Sequence, residues 1–518
     1  MRLNTRDLEQ LTEERILLLS EAESRHVLGM AVQDLRELLD RLDQGPENSS
    51  RPPGSVPLFD RPQPPDTKGE AKADNSSSAA DDTAVATIEP SDANTIPQLE
   101  KENPKKKQGR QIGATGYSRN LTLPVTAHID HVPLSCVLCR NTLLPENFVV
   151  TGGHYVLDIE RSDKIIGLTL SHTKHRYGEI ICLSCNHIND STPERVADDP
   201  EWQACISPWN LIGPHLACLI VFLHVRMHGS YARIREFLNE WLNIDISTAT
   251  LNRTVQEMGR ALAPVENELI CDIQKAALLH IDETGHLEKG VLMWLWVFIS
   301  ANTCLYQIGR RSAEFLDKLL VGVFEGCLMS DGYPAYRRFL NRLRCWAHLM
   351  RKAVGVRDSH DLQMRSFGLA VITHMENMMD AIFAAREGPP LETPLNEQFA
   401  HELAEFRQLC ESYRDSGHIK ARALAREFLN DWDAIFAILS DPSRPLTNNL
   451  AERMLRHWVI HRRITYGTRT RAGTRAFGII ASVIDTCRLR KINPWQFLAS
   501  TLAARRNGAT SVSLVGWG

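Results

Sequence analysis

The chain has 518 residues, 43% of them hydrophobic and 24% charged, with a formal net charge of −4. That length predicts several domains rather than one core, and the balance of charges advertises no polyanionic partner for the chain as a whole. No apolar run approaches the roughly 18–20 residues needed to span a bilayer, and no basic start followed by an apolar stretch marks a secretory signal. A cytoplasmic protein with no membrane partner is expected, in which twelve cysteines serve as reduced thiols or metal ligands rather than disulfides.

Residues 1–45 read as a helix, running from about Asp7 to Gln44 and ended by Gly45-Pro46. Leu28, Val32, Leu35, Leu39 and Leu42 follow the 4-3-4-3 spacing of a coiled-coil seam, which either a second copy or the helix's own domain would cover. Residues 46–125 form a linker. No aromatic residue occurs between Asp60 and Gly116, and a stretch rich in Pro, Ser, Asp and Ala cannot bury enough apolar area to fold. Its end carries Lys101, Lys105, Lys106, Lys107, Arg110 and Arg119, either a solvated charge run or a loose grip on phosphates.

Residues 126–195 predict a small β-rich module with two Cys-x-x-Cys pairs, Cys136/Cys139 and Cys182/Cys185. Each pair suits a knuckle that presents two thiolates to one tetrahedral zinc, and four cysteine ligands leave no open position, so the metal would be structural. His172, His175 and His187 are expected at the surface or facing DNA rather than among the ligands. Residues 205–270 read as helical. Ile234, Phe237, Leu238 and Trp241 share one face, Asn243-Ile244-Asp245 suits a turn, and Ser247 suits the cap of a second helix bearing Leu251, Val255 and Met258. This is either a helix-turn-helix presenting Thr248, Thr250, Asn252 and Arg253 to a groove, or a plain helical hairpin.

Residues 271–500 predict strand, strand, strand, helix, strand, then helices. The clearest strands are Leu292–Ile299 and Cys304–Ile308, with a helix over Ser312–Leu320 and a helical insertion over about 354–440. Residues 501–518 are a tail. The fold class expected is multidomain α+β: a ribonuclease-H-like core of mixed sheet and helices with a helical insertion, preceded by a small four-cysteine zinc module and an N-terminal coiled-coil helix.

Three acids carry the chemistry. Asp282 and Asp331 each close a short apolar run, as strand-end residues do, and Glu452 follows a Thr/Asn cluster that would cap a helix. Two such aspartates and a helical glutamate can hold two divalent cations, Mg²⁺ or Mn²⁺, against a phosphodiester. Glu283 is set apart because strand alternation sends it to the opposite face. Each acid also has an ordinary reading: Asp331 as a turn residue before Gly332, Glu452 as an ion-pair partner of Arg456.

The surroundings of these acids resemble a known family. Asp282-Glu283-Thr284-Gly285 with Trp294-Leu295-Trp296-Val297, Ser330-Asp331-Gly332-Tyr333 with Cys345-Trp346-Ala347-His348, and Asn448-Asn449-Leu450-Ala451-Glu452-Arg453 with Arg462-Arg463 and Gly467-Thr468-Arg469 are similar to the three acidic regions of the insertion sequence 66 family of bacterial DDE transposases. The Cys-x-x-Cys module, the leucine-rich N-terminal helix and Asn48-Ser49-Ser50-Arg51-Pro52-Pro53 also fit. Lys107–Gly113 is a thin version of a basic segment usual in that family. The resemblance implies a metal-binding triad of Asp282, Asp331 and Glu452. It also implies cleavage at mobile-element ends and strand transfer into target DNA, with double-stranded terminal repeats and target DNA as partners, a homo-oligomer on DNA and helper proteins from the same element. The other readings are a zinc-containing DNA-binding protein with no catalysis and a nuclease that cuts without joining.

From Arg453 to Lys491 ten Arg/Lys residues face one acid, Asp485. Arg453, Arg456, Arg462, Arg463, Arg469, Arg471 and Arg475 would surround the pocket with positive charge that steers and holds DNA ends. Tyr466 and Trp458 are candidates for stacking on unpaired bases, with core packing the simpler reading for Trp458. Cys345 and His348 are either a packed thiol and a hydrogen-bonded imidazole or neighbours of the pocket.

Overall fold

The computed structural model describes residues 20–42, 123–161, 168–192, 206, 210–509 and 512–517. The linker and Lys105, Lys106 and Lys107 lie outside these residues. Helix α1 spans Glu21–Leu42. Its seam residues Leu28, Val32 and Leu35 are exposed, and Arg36 pairs with Asp361 at 3.3 Å; the side chains of Leu39 and Leu42 lie outside the described residues.

The cysteine-bearing module is a four-stranded sheet of β1 (Ala127–Asp130), β2 (Val149–Arg161), β3 (Leu168–Ile181) and β4 (Ile188–Asp190). Strands β2 and β4 run antiparallel to β3, and β1 runs parallel to it. His172 is buried, which corrects its expected surface position: its ring nitrogen meets the Leu123 carbonyl at 3.2 Å, so a polar side chain is accommodated inside by the segment that precedes β1.

Four helices follow: α2 (Pro214–Val225), α3 (Tyr231–Leu242), α4 (Thr248–Ala261) and α5 (Ala263–Gln274). Asn243 takes a left-handed conformation that ends α3, and the Ser247 hydroxyl accepts the Thr250 N–H at 3.2 Å to start α4. Ile234, Leu238, Leu251, Val255 and Met258 are buried, as their spacing predicts, but Trp241 is 77% exposed. Placed at the last turn of α3, just before the chain reverses, it projects beyond the packed face. Thr248 and Arg253 are exposed.

The central sheet has the order β7-β6-β5-β8-β9, made of β5 (Leu278–Glu288), β6 (Val291–Ile299), β7 (Cys304–Gly309), β8 (Cys327–Ser330) and β9 (Arg342–Arg344). Strands β5, β6 and β7 form the expected antiparallel meander, while β8 and β9 add parallel to β5. Helix α6 (Ala313–Leu319) is capped by the Ser312 side chain. After β9 come α7 (Trp346–Arg357), α8 (Leu362–Glu387), α9 (Leu395–Gln398), α10 (Ala400–Tyr413), α11 (Ile419–Asn430) and α12 (Trp432–Phe436). These build a second core around Phe367, Phe406, Phe428 and Met375. Helices α13 (Asn449–Thr465), α14 (Arg471–Leu489) and α15 (Pro494–Arg506) return to the first core. Residues beyond α15 also pack there: Leu514 is buried and Trp517 meets Phe497 edge-on at 5.2 Å.

Trp458 is fully buried. Its indole N–H and the Tyr306 hydroxyl both donate to Asp485, at 3.1 and 2.9 Å. It is a core residue and is closed to DNA bases. Around it lies a group of imidazoles from α2, the α2–α3 turn and α13. His228 Nδ1 is 3.3 Å from His461 Nδ1, and the His228 and His457 rings lie 4.4 Å apart. Burial, then the neighbouring imidazoles, pushes His461 down to about 3. Burial, then Arg226, brings His457 to about 4, and burial, then Arg462, does the same for His286. These rings are neutral in the fold but titrate near 6.5 once unfolded. The unfolded chain therefore binds more protons between about pH 6.5 and 4, and stability present above pH 6.5 is lost as pH falls through that window. The raised carboxyls of Asp282 and Glu283 act with the opposite sign in this window, so the share of the imidazoles is read in thermal melts as the difference in pH slope between the unaltered chain and a histidine variant. His461→Gln is expected to flatten the slope, and an unchanged slope would refute this origin.

Candidate active site

The parallel ladder pairs Leu278 with Cys327, Leu279 with Leu328 and His280 with Met329. Continued two residues, this register sets Asp282 level with Asp331, and residues level in adjacent strands share a face. Strand β8 stops at Ser330, whereas β5 runs on to Glu288. Asp282 is therefore not at a strand end, as its apolar run suggested, because the β5–β6 hairpin carries the strand onward. It sits where its parallel neighbour has ended, beyond the carboxyl end of β8, the place where open α/β sheets have their ligand crevice.

Across the sheet, Asp282 is level with Val297 and Tyr306, and Tyr306 packs on Trp458 of α13. Glu283 is level with Trp296, which stacks on Phe315 of α6. The two acids face opposite sides. Glu283 is engaged by the Tyr336 hydroxyl and by Arg311 at 2.7 Å; burial, then the charge on Asp331, raises it to about 6.

Glu452 lies in the first turn of α13. The helix begins where the Thr/Asn cluster predicts, but the Asn448 side chain does not cap it. Instead Asn448 Nδ2 donates to the Ile281 carbonyl at 2.7 Å, its Oδ1 meets His280 Nδ1 at 3.0 Å, and its backbone N–H donates to Cys345 Sγ at 3.1 Å. One buried asparagine thus joins the start of α13 to β5 beside Asp282 and to the residue after β9. Asn448→Ala leaves a buried carbonyl and imidazole short of partners and is expected to cost about 1–3 kcal/mol, read from denaturant melts. A change below about 0.5 kcal/mol would show that the joint is not structural.

The Glu452 carboxylate pairs with Arg351 at 3.3 Å and lies 3.5 Å from His348 Nδ1, not with Arg456. Arg351 and His348 come from α7, a helix remote in sequence, so spacing along α13 could not identify them. Cys345, His348 and Glu452 also bring one ligand atom each within 4.8 Å of one another. Cys345 is a buried thiol, and His348 lies beside Glu452 with no hydrogen bond at its Nδ1 among the described residues. Burial, then Arg351, lowers His348 below the usual imidazole range.

Asp331 Oδ1 accepts the Tyr333 N–H at 2.9 Å, a turn contact. Gly332 between them has a steric reason: a Cβ there would lie 2.7 Å from both the Arg344 guanidinium and a Glu427 carboxylate oxygen. Arg344 is buried on β9 and pairs with Asp431 and Glu427, and Lys352 joins Glu427 at 2.6 Å. This network braces the insertion helices beneath Asp331.

The carboxyl of Asp282 is held well above the usual carboxylate range, first by burial, then by the charges of Asp331 and Glu283, with Glu452 adding to them. Among the described residues, the Glu283 N–H donates to it at 2.9 Å. A buried carboxylate repelled by its acidic neighbours favours either a proton or a cation, and oxygen donors of this kind suit a hard divalent ion.

In the β-module the four cysteine sulfurs lie within 4.8 Å of one another, with Cys136–Cys185 at 3.6 Å and Cys139–Cys182 at 3.5 Å. Sulfurs around a tetrahedral zinc with bonds of about 2.3 Å stand about 3.8 Å apart, so the donor set fits. The Cys139 N–H lowers the Cys136 thiol to about 6, toward the thiolate that binds metal. Among the basic residues, Arg453, Arg456, Arg463, Arg469, Arg471 and Arg475 are exposed and Arg462 is half-buried; Arg475 lies 3.8 Å from Glu266.

The family model of the transposase IS66 family matches residues 210–476, just over half the chain. The chain belongs to this family. The match of this IS66-family chain spans all three acids but not the cysteine module. Uncharacterized protein y4hP of Sinorhizobium fredii (strain NBRC 101917 / NGR234) is 28% identical over 340 residues, 57% of this chain and 60% of the relative. Uncharacterized protein y4qI of the same strain is 21% identical over 51% of this chain and 54% of the relative. This IS66-family chain therefore matches little more than half the length of these relatives. No described helix is long and apolar enough to cross a membrane.

Proposed function

We propose that the chain is a metal-dependent transposase that cuts DNA at the ends of a mobile element and joins them to target DNA. The observation that supports this reading most is the β5–β8 register, which when continued sets Asp282 level with Asp331, with Glu452 on the helix that Asn448 staples to β5 and the charges of Asp331 and Glu452 both acting on Asp282. The order of three antiparallel strands followed by two parallel ones supports a ribonuclease-H-like core. Asp282, Asp331 and Glu452 would hold two Mg²⁺ or Mn²⁺ ions, which supply activation of the attacking oxygen and charge stabilisation of the leaving one. The chain's own residues do the rest. Arg351 and His348 orient the Glu452 carboxylate, the exposed arginines of α13 and the α13–α14 turn hold phosphates, and the crevice beyond β8 admits the strand.

Hydrolysis of the phosphodiester at the element end frees a 3′-hydroxyl, which then displaces a second 3′-oxygen in the target strand. The substrates are double-stranded terminal repeats and target DNA, bound by a homo-oligomer in the cytoplasm, with helper proteins from the same element. Cys136, Cys139, Cys182 and Cys185 would hold one structural zinc.

The test is Asp331→Asn assayed with Mg²⁺ on DNA carrying the repeats that flank the gene. Binding is expected to persist while nicking disappears. Full nicking by the variant would remove the two-metal account. Binding without any cutting by the unaltered chain would favour a non-catalytic DNA-binding protein, and cutting without joined product a plain nuclease.

A further inference from the structure

Along the Glu283 side of the β5–β6 hairpin, a row of side chains runs from the crevice to the hairpin tip. Register fixes it: Leu287 is paired with Leu292, and two residues inward Gly285 is paired with Trp294, on the same face as Glu283 and Trp296. Leu287 and Leu292 are 40% and 60% exposed. Next to them the Arg311 guanidinium lies between two aromatic rings, 4.6 Å from the centroid of Trp294 and 4.1 Å from that of Tyr333. The Tyr333 hydroxyl donates to the Arg311 carbonyl at 3.1 Å, which fixes the sandwich, and the Tyr333 N–H binds Asp331. The inner end of the row therefore adjoins an acid of the candidate site.

The tip is held in place. The Lys289 N–H donates to the Thr468 carbonyl at 2.7 Å and the Thr468 N–H to the Leu287 carbonyl at 2.9 Å. Gly467 makes that approach at a φ of +84°, where a Cβ would collide with the Leu287 carbonyl. Leu287 and Leu292 thus form an exposed apolar pair on a fixed hairpin, directly beside Trp294.

The charge says what the row suits. Lys289 and Arg310 flank the row, exposed and with no carboxylate partner among the described residues; within the paired strand residues of this face the acid is Glu283, whose side chain is buried and matched by Arg311. A half-exposed indole edge, a guanidinium already stacked on it, two exposed leucines and unpaired cations suit nucleobases with phosphates on either side, whereas a duplex hides its base faces. We propose that this row is a stacking track for a short unpaired stretch of DNA next to the cut end. It rests on the DNA-end reading above but not on the metal chemistry.

The full chain, in EDTA so that no cutting occurs, is titrated with a blunt duplex and with the same duplex extended by an unpaired oligo(dT) segment carrying 2-aminopurine. The unaltered chain is expected to bind the extended duplex about tenfold tighter and to quench the probe. Trp294→Ala and Leu292→Asp are expected to bring that ratio close to one, with Trp294→Phe retaining most of it. Leu292→Asp sits at an exposed position and tests the track even if Trp294→Ala fails to fold. A ratio near one for the unaltered chain, or a full ratio in Leu292→Asp, overturns the proposal. So does a Leu292→Asp variant that changes oligomer size while the ratio stands, since a second copy would then be the occupant. Because the titration is run in EDTA it reads binding alone, so failure of the metal account leaves the ratio untouched and failure of the track removes it.

Discussion

Asp282→Asn is expected to lower Mg²⁺-dependent DNA cleavage by on the order of a thousandfold or more and, in EDTA, to make the protein more stable. Both effects have one cause. The Asp282 carboxyl sits half-buried among other acids with little hydrogen-bonding support. Without a cation its charge is costly, and a neutral amide of the same shape relieves the repulsion. With a cation the same charge is what binds the ion, and ligand loss at a two-metal site removes several kcal/mol of transition-state stabilisation. Mg²⁺ should therefore raise the melting temperature of the unaltered chain by mass action and leave the variant unmoved. Melts with and without Mg²⁺ separate this from a general folding defect: an Asp282→Asn variant less stable than its parent in EDTA contradicts the electrostatic argument.

Removal of zinc is expected to unfold the tip of the cysteine module while the rest of the protein stays folded. The buried cluster there comprises Cys136, Leu143, Ile180 and Cys182, too small to hold a hairpin in water by apolar burial alone. Zinc binding to such sites supplies on the order of 10 kcal/mol of folding free energy. The other end of the same sheet is anchored, since Leu157 and Ile159 belong to the large core. Cys182→Ser or a strong chelator should therefore expose amides of residues 133–145 and 180–190 to hydrogen exchange, release about one zinc per chain, and spare the Trp458 core. Unchanged exchange with no zinc released would show that the four thiols are structural without metal.

How much of this was readable in the sequence follows from the range of each interaction. Periodicity and capping are local, so the β5–β7 meander, helix α6 with its Ser312 cap and the paired helices around Asn243 all stand where residue spacing placed them. The three acids stood out because each interrupts an apolar stretch or opens a helix. What spacing cannot supply is a partner from a distant element. Asn448 reads as a helix cap, yet its side chain turns to Ile281 and His280. Arg351 and His348 reach Glu452 from another helix. The same limit explains the aromatic residues. Trp458 and Trp294 look alike in sequence, but tertiary packing buries the first completely and leaves the second at the edge of the core. Trp241 lies on the apolar stripe of α3, yet at the last turn of that helix the described residues leave it uncovered.

The most direct measurement is Mn²⁺ located by anomalous scattering in crystals of the full chain. The account predicts two peaks about 4 Å apart, flanked by Asp282, Asp331 and Glu452, both lost in Asp331→Asn. No peak in that crevice, or a single one drawn aside to Cys345, His348 and Glu452, would contradict it.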